Sequence, residues 1–251
     1  MPCPAEMRLL VAWAACLVWC LCWGAQAQVP VRVSLRHNWH NYSDSATHAA
    51  PLLEMMEAAG QVWPHAFFSL VSRIWSHPSA GGELKDMSYE RLYHHMEGVL
   101  RSLAVDVHDA YPESHLEEWR TLVAQHAQAA KVESYYQMFE AGSNLRSLNV
   151  PCDTFVHVNG HAYCSLPAAR QAIQALNTSS PLLAHDHVHP SHTAPGPSLV
   201  LYADPYSTSI HEFHDMLHAL SSTSHIKYVF RWRPSVASVK SRPMSVSYTH
   251  L

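Results

Sequence analysis

Residues 198–234 read as strand, turn, amphipathic helix, turn and strand, and no other stretch limits the possible folds so strongly. Leu199 to Tyr202 is a short apolar run bounded by Gly196-Pro197-Ser198 and by Asp204-Pro205, as a strand buried on both faces should be. Ile210, Phe213, Leu217 and Leu220 then recur at helical spacing and mark one apolar face. Lys227 to Arg233 is β-branched and aromatic and predicts a second strand. Two extended segments joined by one helix form the crossover unit of a parallel sheet. The chain is therefore predicted to be α/β.

Upstream, Val31 to Leu35 alternates apolar and polar residues and predicts a first strand with one buried face. Helical spacing then takes over. Leu52, Leu53, Met56 and Ala59 mark a helix ending at Gly60; Trp63 to Ser76 marks a second, with Pro64 in its first turn and Phe67, Leu70, Val71 and Ile74 inward. Tyr89–Ala104 and Leu116–Ala141 predict two more, the latter stopped by Gly142, with Gly81-Gly82 and Pro112-Glu113-Ser114 as breakers. Past this helical block, at about 46–142, Asn159-Gly160 between extended residues is a hairpin signal. Residues 152–164 thus read as a hairpin with Cys152 and Cys164 at its open ends, Leu166 to Leu176 as a short helix, and 179–197 as an extended Pro/His/Ser linker to the unit at 199–233.

Residues 1–27 read as a secretory signal: Arg8, then an apolar run from Leu9 to Trp23 too short for a bilayer, then Ala25-Gln26-Ala27. An uncleaved anchor is the alternative, carried by the bulky Trp13, Trp19 and Trp23. Cleavage would remove Cys3, Cys16, Cys20 and Cys22. Cys152 and Cys164 would remain, and in an oxidising compartment they are expected to pair. Zinc is the rival, because His157 and His161 lie between them. Two sequons predict glycans on Asn41 and Asn177. Residues 237–251 carry neither a helical stripe nor a core-facing alternation and are expected to be an unstructured or artefactual tail.

The unit at 198–234 also resembles the opening of a thioredoxin fold, whose buried strand leads into a helix with the redox pair in its first turn. Here that turn is Asp204-Pro205-Tyr206-Ser207-Thr208-Ser209, without a cysteine, so disulfide exchange is not expected there. The Ala-Asp after a VLY-type strand, the following EFH and hydrophobic helix, and the YVFRWRP strand resemble the first thioredoxin-like domain of the UDP-glucose:glycoprotein glucosyltransferases. Leu183 to Pro190 looks like that family's DHVxP stretch, and PCDTFVHVNGHAYC, Cys152 to Cys164, like its cysteine-flanked strand pair. The similarity spans Val31 to Pro234 and is weakest from Gly81 to Ala141.

This resemblance implies a thioredoxin-like domain over 28–236 with a large helical insertion, located in the endoplasmic reticulum lumen. It implies a fragment of a longer chain whose catalytic domain, with its UDP-glucose and a divalent cation such as Ca or Mn, lies elsewhere. No cofactor is expected in the fragment itself. The implied role is recognition of misfolded glycoproteins, in company with the remaining domains of the chain. Such recognition needs open apolar surface, for which Trp63, Phe67, Trp75 and Tyr136 are the candidates, with Phe68, Tyr135 and Met138 beside them. The alternative places all of them in the core.

Histidine is the compositional outlier, at 21 residues. His185, Asp186, His187, His189 and His192 could hold a divalent metal, or be a solvated linker. His211, His214 and His218 share a helix face and predict a partly exposed, pH-sensitive surface; His211-Glu212-Phe213-His214 misses the zinc-protease spacing by one residue. No nucleophile elbow, phosphate-binding glycine loop or dinucleotide fingerprint occurs. A formal charge of -4 without a basic stripe argues against nucleic acid, and no membrane partner is expected once the signal is cleaved. The competing functions are a secretory thiol oxidoreductase, a chaperone-type binding protein and a small metal-binding protein.

Overall fold

The apolar run at 198–203 is the middle strand of a five-stranded mixed sheet. The computed structural model describes residues 31–34, 49–140, 150–190, 196–223, 226–234 and 247–250, with side chains for all of these but 31–34, 137–140 and 247–250. The expected signal sequence, Asn41, Gly142 and His192 lie outside the described residues.

The elements in chain order are β1 (Val31–Ser34), α1 (Ala49–Val62), α2 (Phe67–Ile74), α3 (Ala80–Lys85), α4 (Tyr89–Asp106), α5 (Pro112–Ala124) and α6 (Ala129–Glu140). There follow β2 (Phe155–Val158), β3 (His161–Tyr163), α7 (Leu166–Gln174), β4 (His187–Val188), β5 (Ser198–Ala203), α8 (Ile210–Thr223), β6 (Lys227–Trp232) and β7 (Ser247–His250). The sheet order is β3-β2-β5-β6-β4. As predicted, β5 and β6 are parallel, with Leu201 opposite Phe230, and α8 is their crossover. β2 runs antiparallel to β5, and β4 antiparallel to β6.

Alternation along the strands builds two cores. Leu199, Leu201 and Ala203, with Tyr228, Phe230 and Trp232, face the main cluster shared with the helices. Val200, Tyr202 and Val229 join Phe155 on the opposite face in a small second cluster. α1 is the hub of the first, since every residue from Ala49 to Ala59 is buried. A helix covered on all sides belongs in the interior, not at a surface.

The helical block differs from expectation in informative ways. α1 passes Gly60 to reach Val62, and Gly81 and Gly82 lie inside the short α3 instead of breaking the chain. Pro112, read as a breaker, occupies the first turn of α5, where its missing N–H costs nothing. The single helix expected over Leu116–Ala141 is two, α5 and α6. The break is a left-handed residue, His126, at φ 51°, with Ala127 N–H bonded to Leu122 O and His126 N–H to Val123 O. His108 ends α4 in the same manner at φ 52°, with Asp109 N–H reaching Ala104 O. Both are helix-ending motifs that usually employ glycine.

The hairpin is present, turning through Asn159 and Gly160 at φ 49° and 83°. Cys152 and Cys164 form a disulfide across its open end, with Cα atoms 5.8 Å apart. β1 and β7 constitute a separate unit, a two-stranded antiparallel sheet pairing Val31 with His250 and Ser34 with Ser247. The first strand therefore does not enter the five-stranded sheet, and the tail expected to lack structure contains a strand. Replacing both Cys152 and Cys164 by serine is expected to lower unfolding free energy by about 3 kcal/mol, measured by denaturant titration, through the wider freedom of the unfolded chain.

Candidate functional site

In the predicted fold, chemistry would sit at the turn between β5 and α8. Asp204 organises that turn: its Oδ1 accepts from Tyr206 N–H at 2.9 Å and its carbonyl from Ser207 N–H at 3.0 Å, while Thr154 Oγ1 accepts from Asp204 N–H at 3.1 Å. Ser207 Oγ accepts from Ser209 N–H at 3.2 Å, and Ser209 O receives the first helical bond from Phe213. No thiol lies in the turn. Nor is it open. Trp75 Nε1 donates to Pro205 O at 3.1 Å, and Gly81 sits against the turn so closely that a Cβ there would stand 2.8 Å from Tyr206 C and O. Only glycine permits that approach. Burial, then the neighbouring Tyr206 and Asp204, push the Tyr136 hydroxyl well above its ordinary range, consistent with Tyr136 lying beside the turn.

What holds the helices there is a buried carboxylate. Glu57 on α1 accepts at Oε1 from Tyr135 OH, His187 Nε2 and Trp232 Nε1, each at 2.9 Å. Lys131 Nζ lies 2.5 Å from Oε2 as an ion pair rather than an aligned hydrogen bond. Burial would raise the Glu57 carboxyl above 4.5, but His187 and Lys131 outweigh it and hold it at about 2. The node's contribution is thus complete above pH 4.5 and lost as pH falls toward 2.

A second buried pair fixes the segment before β5. Asp186 takes Arg231 Nε and Nη2 at 2.6 Å each, and Arg231 Nη1 donates to Tyr202 OH at 2.6 Å. Arg231 and Asp186 side chains expose only 3% and 1% of their surface. Of the histidines read as a metal cluster or a solvated linker, the described ones, His185, His187 and His189, pack against aromatic and imidazole rings. His187 stacks on Phe67 at 3.6 Å, His185 meets the edge of Tyr135, and His189 packs on Phe68 and His218. Among the described residues no group of three His, Cys, Asp or Glu side chains could hold a metal.

The four aromatic residues expected at an open surface are core residues. Trp63, Phe67, Trp75 and Tyr136 expose 6%, 1%, 1% and 4% of their surface. Their helices had to bury an apolar face, and the sheet and the Glu57 node supply its partners. Trp63 also donates through Nε1 to Asp109 Oδ2 at 2.8 Å. Among the described residues the large apolar side chains that stay open are Val105, Val107 and Tyr111, at 73%, 42% and 70% exposure along the junction of α4 and α5, and Leu182 and Val188 in the segment before β5. Asn177 is exposed, as its sequon requires, and its backbone N–H donates to Asn159 Oδ1.

On the helix face expected to be partly exposed and pH-sensitive, His211 and His218 are half-buried and His214 is internal. His214 is 1% exposed, with Nε2 2.8 Å from Ser72 Oγ and Nδ1 2.8 Å from Tyr228 OH. Ser72 Oγ donates to Phe68 O, so the consistent arrangement has His214 Nε2–H donating to Ser72 and Tyr228 OH donating to Nδ1. Burial first, then His218 and His189, lower its pKa to about 3.

Two predictions follow from these contacts. Gly81→Ala should destabilise by about 1–3 kcal/mol, read from thermal or denaturant unfolding, because α3 must move off the turn. The unfolded chain binds a proton at a histidine near pH 6.5, whereas folded His214 does so only near 3. Stability therefore falls as pH drops below 6.5, with this residue contributing about 1.4 kcal/mol per pH unit. His214→Phe should make the decline between pH 6.5 and 5 shallower by about that amount, measured by denaturant midpoints across the range.

A model of a thioredoxin-like domain family matches residues 48–241, starting after the predicted first strand and covering the helical block, hairpin, linker and crossover unit. A search of curated proteins finds no match. No helix among the described residues is long and apolar enough to cross a membrane. With the family match spanning the five-stranded sheet and the helices packed upon it, the chain belongs to the thioredoxin-like domain family.

Proposed function

We propose that this chain is a non-catalytic recognition domain of a UDP-glucose:glycoprotein glucosyltransferase, acting in folding quality control within the endoplasmic reticulum lumen. The observation that carries this reading is the thiol-free turn Asp204–Ser209, packed against Trp75 and Gly81 at its start. Thiol exchange needs a thiolate that a client disulfide can reach. Cys152 and Cys164 are instead bonded to each other across the hairpin. A thioredoxin-like domain without that chemistry retains binding as its use.

The glucosyltransferase assignment draws support from the meeting of two segments that carry the resemblance. Asp186, in the DHVxP-like stretch, grips Arg231, in the YVFRWRP strand, through two bonds of 2.6 Å. On this reading UDP-glucose and the divalent cation belong to the parent's catalytic domain, and the partners here are misfolded glycoproteins and the remaining domains. The client-facing side chains are Val105, Val107 and Tyr111, not the buried aromatics. A thiol oxidoreductase remains the second reading for a member of this family, and the absence of a cysteine from the turn disfavours it.

The purified chain should show no insulin reduction, yet bind a denatured glycoprotein more tightly than its native form. Affinity should be weak, since one domain lacks the avidity of a multidomain cavity. Val105→Ser combined with Tyr111→Ser should weaken the denatured-state complex several-fold while leaving the melting temperature unchanged, because both side chains are already in water. Equal binding to native and denatured forms, measured by biolayer interferometry, contradicts the sensing role.

A further inference from the structure

Between α2 and α4 lies a cleft of about 830 Å³ in which serine, histidine and arginine side chains stand among apolar wall surface. Ser69 and Ser72 on α2 and Ser76 just past its end form one wall. His94, His95, Gly98, Val99 and Ser102 on α4 form the facing wall, and His218 of α8 contributes a third imidazole. Arg73 supplies a guanidinium, donating to Ser102 Oγ at 2.9 Å and pairing with Asp106. No aspartate or glutamate lines the cleft. The walls are therefore rich in donors: hydroxyls, imidazole N–H groups and one permanent cation.

The floor is tied into the core. Ser72 is held by His214, and His214 by Tyr228, through two bonds of 2.8 Å. The side chains of Ser69, Ser76 and His95, by contrast, make no hydrogen bond to another described residue. A rigid floor under uncommitted donors is how a polar binding site is preorganised. The volume lies in the range that accommodates an organic ligand of ordinary size. Gly98 keeps the space open, since a Cβ there would meet nothing within 4 Å.

We propose that this cleft binds a small phosphate- or sulfate-bearing ligand, of about nucleotide or sugar-phosphate size, with Arg73 and His95 receiving the oxyanion. The hydroxyls, imidazoles and the Arg73 guanidinium can all donate to a ligand whose polar atoms are mostly acceptors, and a guanidinium matches oxyanion geometry in particular. Ser69 and Ser76 complete the contact as neutral donors, the Ser72 hydroxyl hydrogen being committed to Phe68 O.

The test uses the full chain and inorganic pyrophosphate, titrated calorimetrically at constant ionic strength. Saturable binding is expected. Gly98→Leu fills the cleft with a better helix former, so it should weaken binding by about tenfold or more while the melting temperature does not fall. Gly82→Leu, at an equally open helical position outside the cleft lining, should bind as the parent does. Arg73→Gln should weaken binding in the same direction as Gly98→Leu. Absence of saturable binding, or an affinity unchanged by Gly98→Leu or by Arg73→Gln, overturns the proposal.

Discussion

The Glu57 carboxylate is the interaction on which the remaining architecture depends. It gathers Tyr135 and Lys131 from α6, His187 from β4 and Trp232 from β6 around one buried oxygen pair on α1. An isolated buried carboxylate would be expelled or neutralised, so this charge is tolerable only when every partner arrives together. The node therefore joins the helical block to the sheet as a condition of folding, not as a decoration of it. Removing one partner of such a group is far costlier than replacing the whole set by apolar residues, which makes the arrangement a device for specificity.

From that constraint the character of the candidate site follows. α1 carries the node, α1 and α2 fill the main core, and α3 comes to rest with Gly81 on the backbone of Tyr206. The turn where the fold would display a nucleophile is thereby covered at Asp204 and Pro205 by the same helices that the node anchors. On the opposite face of the sheet, Arg231 lies over Tyr202 with its guanidinium carbon 5.0 Å from the ring centre, and Arg233 over Phe155 at 5.1 Å. Asp186 then draws the preceding segment across that face through Arg231. Both sides of the central strand are thus covered, which leaves the helix junctions and the cleft beside α4 as the places where a partner can be met.

The sequence made the crossover unit legible because its signals are local: an apolar run, a helical stripe and a β-branched run, each complete within a few residues. The hairpin was equally legible from Asn159-Gly160 and the two cysteines. What escaped was carried by partners far away in the chain. His187 and His189 look like a solvated linker until Glu57, Phe67 and Phe68 are brought against them. Trp63, Phe67, Trp75 and Tyr136 carry no local mark that separates core from surface, because an aromatic on a helix face serves either role. The division of α5 from α6 was hidden for a different reason: His126 adopts the left-handed conformation in which glycine is the usual signal. Gly81 misled in the opposite direction, since its small size serves a close approach to Tyr206 rather than a break.

The central claim is that the helical block and the sheet open as one unit, so that Asp204 and Pro205, the buried start of the turn, are never displayed without global unfolding. Native-state hydrogen exchange along a denaturant series tests this most directly. The account predicts that the slowest amides of α1, α2, β5 and β6 converge on a single opening free energy with the same denaturant dependence. Exchange of α1 and α2 at distinctly lower free energy than β5 and β6 would contradict it, because the helices would then lift from the turn while the sheet stayed folded.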